Sequence, residues 1–152
     1  MEFISNRGER NHFSVLSHLV TEAQEVILCS GWIDLGGLTL LKPSLASALH
    51  RGAAITVFTD ARRTPSRCRR LLDRMQRLIH TEVSDKKRLH TKLYYFGYET
   101  TYSVVIGSAN LTMGGLDLNE EFSTLMHGSI GDTHYQQIID YFQQLTGVSS
   151  SA

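Results

Sequence analysis

Residues 90–123 read HTKLYYFGYETTYSVVIGSANLTMGGLDLNEEFS, the most informative pattern in the chain. Two apolar runs, 92–96 and 102–106, flank a short polar segment, which predicts two strands joined by a tight turn. Because side chains alternate along an extended chain, His90 and Lys92 point to the same face. The tetrapeptide GSAN follows the second strand, and Glu121 comes after it. The pattern predicts that a histidine, a cation, an amide and a carboxylate meet in one site.

These residue types suit attack on a phosphate diester without a metal ion. His90 is the candidate nucleophile, because a neutral imidazole nitrogen can attack phosphorus to give a phosphohistidine that water then resolves. Lys92 and Asn110, with Ser108, would stabilise charge on the non-bridging oxygens. Glu121 would accept a hydrogen bond from a histidine ring and fix its tautomer. The competing interpretations are a histidine that merely caps a strand, a solvated lysine and a turn that merely leaves a strand.

The stretch resembles the HxK–GSxN signature, the HKD motif, of the phospholipase D superfamily, whose members cleave or transfer phosphodiesters. The matching motif runs from about Leu89 to Phe122. It is similar in style to small, single-motif bacterial nucleases and to the catalytic domains of related restriction enzymes. The resemblance implies hydrolysis or transfer without cofactor or metal, and it favours Glu121 over the adjacent Glu120. It implies catalytic roles for His90, Lys92, Ser108, Asn110 and Glu121.

The chain departs from the family pattern at one position. The family usually has an aspartate five residues after the motif lysine, and this chain has Gly97 there. The nearest acids, Glu99 and Asp117, are out of register. The departure weakens the match to lipid-cleaving members more than the match to nucleases, whose pattern is looser.

The chain contains one copy of the motif, whereas the mechanism also needs a proton donor for the leaving group. We therefore predict a symmetric homodimer in which His90 of both copies lies at the two-fold axis. One histidine would be neutral and its twin protonated. Because an unperturbed histidine has a pKa of about 6.5, this arrangement predicts a bell-shaped pH profile on the mildly acidic to neutral side.

Basic residues are concentrated upstream of the motif, although the formal net charge is +0. Periodicity predicts an amphipathic helix from Pro65 to about Ile79, with arginines recurring every three or four residues along one exposed stripe. Arginine binds phosphate bidentately, so this stripe is a candidate nucleic-acid platform. The alternative is a solvated helix face paired with acids elsewhere. The stripe consists of Arg67, Arg70, Arg74 and Arg77.

Length and composition fit a single domain. The chain has 152 residues, 41% of them hydrophobic and 20% charged, as in soluble globular proteins. We expect one catalytic domain over residues 1–147 and a flexible tail at 148–152. Only two cysteines are present, and we see no signal peptide, membrane span or zinc-binding spacing. A cytoplasmic protein with free thiols is the expectation.

Interleaved apolar runs and helical periods predict an α/β fold, a mixed and mostly parallel sheet flanked by helices. Strands are expected at 25–33, 54–58, 92–96, 102–106 and 122–126, and helices at 11–24, 40–50, 65–79 and 133–145. Gly36-Gly37 is expected to break the chain. The resulting hypothesis is a metal-independent endonuclease for DNA or RNA. A phospholipid hydrolase or transferase and a non-catalytic nucleic-acid-binding module are the alternatives. The domain could also belong to a larger protein with a specificity or helicase domain.

Overall fold

The computed structural model describes residues 1–147, which form one seven-stranded sheet with helices on both faces. The predicted tail at 148–152 lies outside the described residues. The strands are β1 (Glu2–Ser5), β2 (Glu25–Ser30), β3 (Ala54–Asp60), β4 (Ile79–Val83), β5 (Lys92–Gly97), β6 (Thr101–Gly107) and β7 (Phe122–Ser129). The helices are α1 (His12–Glu22), α2 (Leu35–His50), α3 (Ser66–Arg74) and α4 (Thr133–Leu145), with a π-helical turn at Gly114–Leu118.

The sheet is mixed, with the strand order β1-β7-β6-β5-β2-β3-β4. The pairs β2–β3 and β3–β4 are parallel, and the other four pairs are antiparallel. The α/β class and the mixed sheet are confirmed. The expectation of a mostly parallel sheet is wrong. The short turn between β5 and β6 allows only antiparallel pairing, and β1 is also antiparallel to its neighbour β7.

Helices cover the two faces unequally. The larger core lies between the sheet and α1, α2 and α3, whereas a smaller core, including Phe58, Tyr95 and Val104, packs against α4. The closing helix has the bounds that its periodicity predicts. Each face has a continuous apolar layer, which fixes the register of the strands between them.

Two helices differ from their predicted bounds by five residues at one end. The α2 helix begins at Leu35, because the Asp34 side chain caps it by accepting from the Gly37 amide at 2.7 Å. Gly37 does not break the chain: a Cβ there would lie 2.4 Å from the Leu111 carbonyl oxygen, so glycine permits close packing. The α3 helix ends at Arg74, because the backbone turns at Arg77 (φ 72°) and Ile79 starts an edge strand.

The strand register brings the predicted motif together where β2 and β6 end and β5 and β7 begin. We call this side of the sheet the site edge. Ser30, the last residue of β2, is paired with Lys92, the first residue of β5. Gly107, at the end of β6, is opposite Ser123 near the start of β7. The segments that precede β5 and β7 therefore meet the segment that follows β6.

Candidate active site

His90 and Lys92 contact each other at this edge. The Lys92 Nζ lies 3.2 Å from His90 Nδ1 and donates to the His90 carbonyl oxygen at 2.9 Å. Burial lowers the pKa of the Lys92 ammonium, while the Glu121 carboxylate raises it and Arg63 lowers it further. The imidazole ring is exposed. An anion that reaches this edge would meet the ring and the ammonium group together.

Asp60, at the end of β3, holds the segment that carries His90, and sequence reasoning missed it. Its carboxylate is fully buried and accepts from the Leu89 amide at 2.8 Å. It also pairs with the Arg62 guanidinium at 3.1 Å. The Arg62 hydrogen bond, with the Leu89 and Arg62 backbone amides, lowers the pKa of Asp60 to about 2 although burial opposes the shift. The sequence feature that could have indicated Asp60 is an acidic residue at the end of a predominantly apolar strand.

Ser108 and Glu121 form the second part of the site. The Ser108 hydroxyl donates to a Glu121 carboxylate oxygen and accepts from the Phe122 amide at 3.0 Å. Glu120 points elsewhere and pairs with Arg7 in solvent at 2.9 Å. Within residues 1–147 no hydrogen bond joins Glu121 to a histidine ring. Glu121, which the sequence pattern favoured over Glu120, is thus the carboxylate in the motif cluster. Its hydrogen-bond partner is the Ser108 hydroxyl.

Asn110 is held by two residues that the motif does not contain. Buried Ser30 accepts from the Leu111 amide at 3.0 Å, and its Oγ lies 3.3 Å from Asn110 Oδ1. The Tyr94 hydroxyl donates to the carbonyl oxygen of Ala109 at 2.6 Å. Burial raises the pKa of Tyr94, so this hydroxyl keeps its proton. Both contacts depend on strand pairing, and no local signal in the sequence indicates them.

The arginine stripe is only partly formed. Arg67, Arg70 and Arg74 are exposed on α3 and, with Lys42 of α2, line a shallow groove. In the described part of the chain none of these four has an acidic partner within 4 Å. Arg77 is not in the stripe, because it lies beyond the helix end and donates to the Leu49 carbonyl oxygen.

Four further observations concern the remaining sequence predictions. Gly97 ends β5 at the opposite edge of the sheet from Lys92, so the departure from the family pattern lies outside the site. Cys29 and Cys68 are buried free thiols. Among residues 1–147, no group of three or more histidine, cysteine or acidic side chains could hold a metal ion. None of the helices in this range has the length and apolar character that crossing a bilayer requires.

Structural comparison finds the same fold over the whole chain. NucT from Helicobacter pylori superposes with a TM-score of 0.68 at 13% identity, over 99% of this chain and 100% of that chain. Nuc from Salmonella typhimurium, a phospholipase D family member, superposes with a TM-score of 0.76 at 13% identity, over 99% and 96%. Phosphatidylserine synthase from Haemophilus influenzae gives 0.73 at 14% identity, over 94% of this chain and 37% of that chain. At these identities the likeness concerns the fold alone.

Sequence comparison identifies the family. No curated protein matches the chain. A family profile described as "Cardiolipin synthase, PLD-like domain" matches residues 38–146. The matched range contains every residue of the predicted motif and most of the sheet. The chain therefore belongs to the phospholipase D-like (PLD-like) family.

Proposed function

We propose that this protein is a phosphodiesterase that cleaves nucleic acid without a metal ion, through a phosphohistidine on His90. The observation that carries the proposal is the convergence of the HKD-type side chains at one sheet edge, with Lys92 Nζ 3.2 Å from the His90 ring. Whole-chain matches to the single-domain proteins NucT and Nuc support it, because the phosphatidylserine synthase match covers only 37% of a much longer chain.

The chemistry proceeds in two displacements. A ring nitrogen of His90 attacks phosphorus while the bond from phosphorus to the leaving oxygen breaks. A protonated His90 of a second copy gives its proton to that oxygen. Water then attacks the phosphohistidine, gives a proton to the same second histidine and displaces His90. Lys92 and the Asn110 amide stabilise the charge on the non-bridging oxygens in both steps.

The second histidine comes from a homodimer in this proposal. Phe3, Thr124 and Ile106 form one row across β1, β7 and β6, and Phe122 lies beside that row on the same face. The rings of Phe3 and Phe122 stack at 5.3 Å although they are 61% and 60% exposed. This apolar patch (Phe3, Ile106, Phe122) includes the residue that follows Glu121 in the chain. An exposed apolar patch marks an interaction surface, and a second copy placed there would bring two half-sites together.

Nucleic acid is the proposed substrate because of the α3 groove, lined by Arg67, Arg70, Arg74 and Lys42. These four cations line one surface and have no acidic partner among residues 1–147, in a chain whose formal net charge is +0. Substituting Glu at Arg70 and Arg74 together should weaken DNA binding and flatten its salt dependence. Substituting Gln at Arg77, which contacts Leu49 instead, should change the salt dependence little. Equal affinities for all three proteins would refute this assignment of the groove.

The deciding experiment measures cleavage of plasmid and single-stranded DNA in excess EDTA. Wild type should cleave, and His90→Ala should not. The matched control is His50→Ala, since His50 is an exposed histidine at the end of α2. Cleavage that EDTA abolishes, or that His90→Ala retains, would refute the mechanism. DNA binding without cleavage by any variant would favour the non-catalytic binding module.

A phosphatidyl substrate is the second candidate, because the matching family profile carries a lipid-synthase description. The same two displacements would act on a phospholipid diester. Micellar phospholipid added to the EDTA assay separates the two substrates. Turnover of lipid with intact DNA would favour the lipid enzyme.

Sedimentation velocity tests the dimer. Phe122→Ser should give a monomer with little diesterase activity. Ile79→Ser is the matched control, because Ile79 is also 60% exposed and lies on β4 at the other end of the sheet. A monomeric wild type with full activity would refute the shared site.

A further inference from the structure

Trp32, which lies beside the His90 segment, is unusually exposed for a tryptophan. It follows β2 at the site edge and is 48% exposed. The preceding Gly31 donates its amide to the Thr91 carbonyl oxygen at 3.0 Å. A Cβ at Gly31 would lie 2.9 Å from His90 Cα, so the two backbones touch. The backbone that carries Trp32 therefore packs against the segment that carries His90, while about half of the Trp32 side chain faces solvent.

Arg63 completes this feature from the end of β3. Its guanidinium carbon lies over the indole, 5.9 Å from the ring centroid. Unlike Arg62, which is paired with Asp60, Arg63 has no acidic partner within 4 Å in the described part of the chain. Its charge also acts on Lys92, whose pKa it lowers. The same loop thus pairs one arginine with the buried Asp60 carboxylate and places the other over the Trp32 indole.

We propose that Trp32 and Arg63 form a subsite for an unpaired nucleotide next to the scissile phosphate, with the base stacked on the indole and a neighbouring phosphate on the guanidinium. This inference rests on the proposed function and narrows its substrate to single-stranded nucleic acid. A base inside a duplex presents its π-face to its neighbours, so it reaches an indole only after leaving the stack. Stacking accepts any base, whereas Arg63 supplies the phosphate contact.

The chain offers a direct readout, because Trp32 is its single tryptophan. Inactive His90→Ala protein is titrated with a short oligothymidylate, with the same backbone lacking bases, and with a covalently closed duplex. The base-containing single strand should quench the tryptophan fluorescence and bind between about fivefold and 100-fold more tightly than the abasic strand. Equal quenching or equal affinity for the three ligands would overturn the subsite, as would a Trp32 that acrylamide cannot reach in the free protein.

Variants separate the two parts of the subsite. Trp32→Leu should lose affinity for the base-containing strand and keep its affinity for the abasic one, while Trp32→Phe should retain most of the preference. Arg63→Gln should weaken the binding of both oligonucleotides and reduce the salt dependence of that binding. The matched charge control is Arg10→Gln, because Arg10 is paired with Glu2 in solvent, away from the site edge. This variant should bind both oligonucleotides as wild type does. The fluorescence titration uses the native indole, so it decides the question even if Trp32→Leu fails to fold.

One further arm distinguishes failure of the subsite from failure of the proposed function. Hydrolysis of bis(p-nitrophenyl) phosphate in EDTA requires only the His90 chemistry. Hydrolysis without strand-dependent quenching would leave the proposed function intact and overturn the subsite. Quenching without hydrolysis of any diester would support the subsite and refute the enzymatic proposal.

Discussion

Replacing Asp60 with alanine should weaken the fold and the active site together. The buried carboxylate accepts from the Leu89 amide at 2.8 Å and pairs with Arg62 at 3.1 Å. Its removal leaves the Leu89 amide buried without an acceptor, which costs about 1–3 kcal/mol. The Arg62 side chain is 46% exposed, so solvent screens the ion pair and its loss adds at most about 1 kcal/mol. We expect the free energy of unfolding to fall by roughly 1–4 kcal/mol.

The pH dependence gives an independent measure of the same interaction. The pKa of Asp60 is lowered in the folded protein from 3.8 to about 2. Above the unfolded value both states carry the carboxylate, and its stabilisation is complete. As the pH falls from about 4 to about 2, the unfolded chain takes up the proton first, so the stabilisation is lost. The shift corresponds to about 2 kcal/mol.

Urea unfolding of wild type and Asp60→Asn from neutral pH down to about pH 2 measures both quantities. Wild type should be the more stable near neutral pH, and the gap should narrow by about 2 kcal/mol as Asp60 titrates. The other acids titrate in both proteins, so the difference isolates Asp60. Diesterase activity of Asp60→Ala at neutral pH should fall roughly 10- to 100-fold, because the His90 segment loses its anchor. Parallel pH curves for the two proteins, or an unchanged urea midpoint for Asp60→Ala, would contradict the anchoring role of Asp60.

Three further outcomes follow from burial and hydrogen bonding. For Tyr94→Phe, the free energy of unfolding should be about 1 kcal/mol lower, and kcat should be lower at similar KM, because the variant releases the Ala109 carbonyl oxygen next to Asn110; urea unfolding and steady-state kinetics check this. His90→Ala should lose activity while its urea midpoint stays unchanged, since the ring is exposed. Iodoacetamide near pH 8 should label Cys29 only after denaturation, as followed by mass spectrometry, because burial raises the pKa of this thiol to about 12.

Local signals in the sequence were sufficient for much of the fold. The β5–β6 hairpin and the α4 helix have strong periodicity over their whole length, and the structure has them where they were predicted. The clustering of the motif followed from two local facts, the alternation around Lys92 and the short hairpin connection. A hairpin returns the chain to its starting edge, so residues before β5 and after β6 must meet there.

The features that sequence reasoning missed depend on tertiary contacts. Strand β1 spans four residues and β4 five, and both are edge strands. Strand β1 pairs with the last strand, β7, and β4 pairs with β3, from which the α3 helix separates it in the chain. Arg77 fits the helical repeat of the stripe, yet its positive φ and its contact with Leu49 are set by the packing of α3 against α2. Ser30 and Asp60 have ordinary residue types at strand ends. Only the assembled sheet edge shows that they hold Asn110 and the His90 segment.

The position of Gly97 explains how the motif can lack its usual aspartate. Strand β5 crosses the sheet from the site edge, where Lys92 begins it, to the opposite edge, where Gly97 ends it. At a rise of about 3.3 Å per residue, five residues separate the two by roughly 16 Å. No side chain at position 97 could contact a phosphate held at Lys92. Gly97 instead accepts from the Gln24 amide at 2.9 Å and ties β5 to the chain entering β2. The glycine at position 97 therefore concerns the far edge of the sheet, and His90, Lys92, Ser108, Asn110 and Glu121 meet at the site edge without an aspartate there.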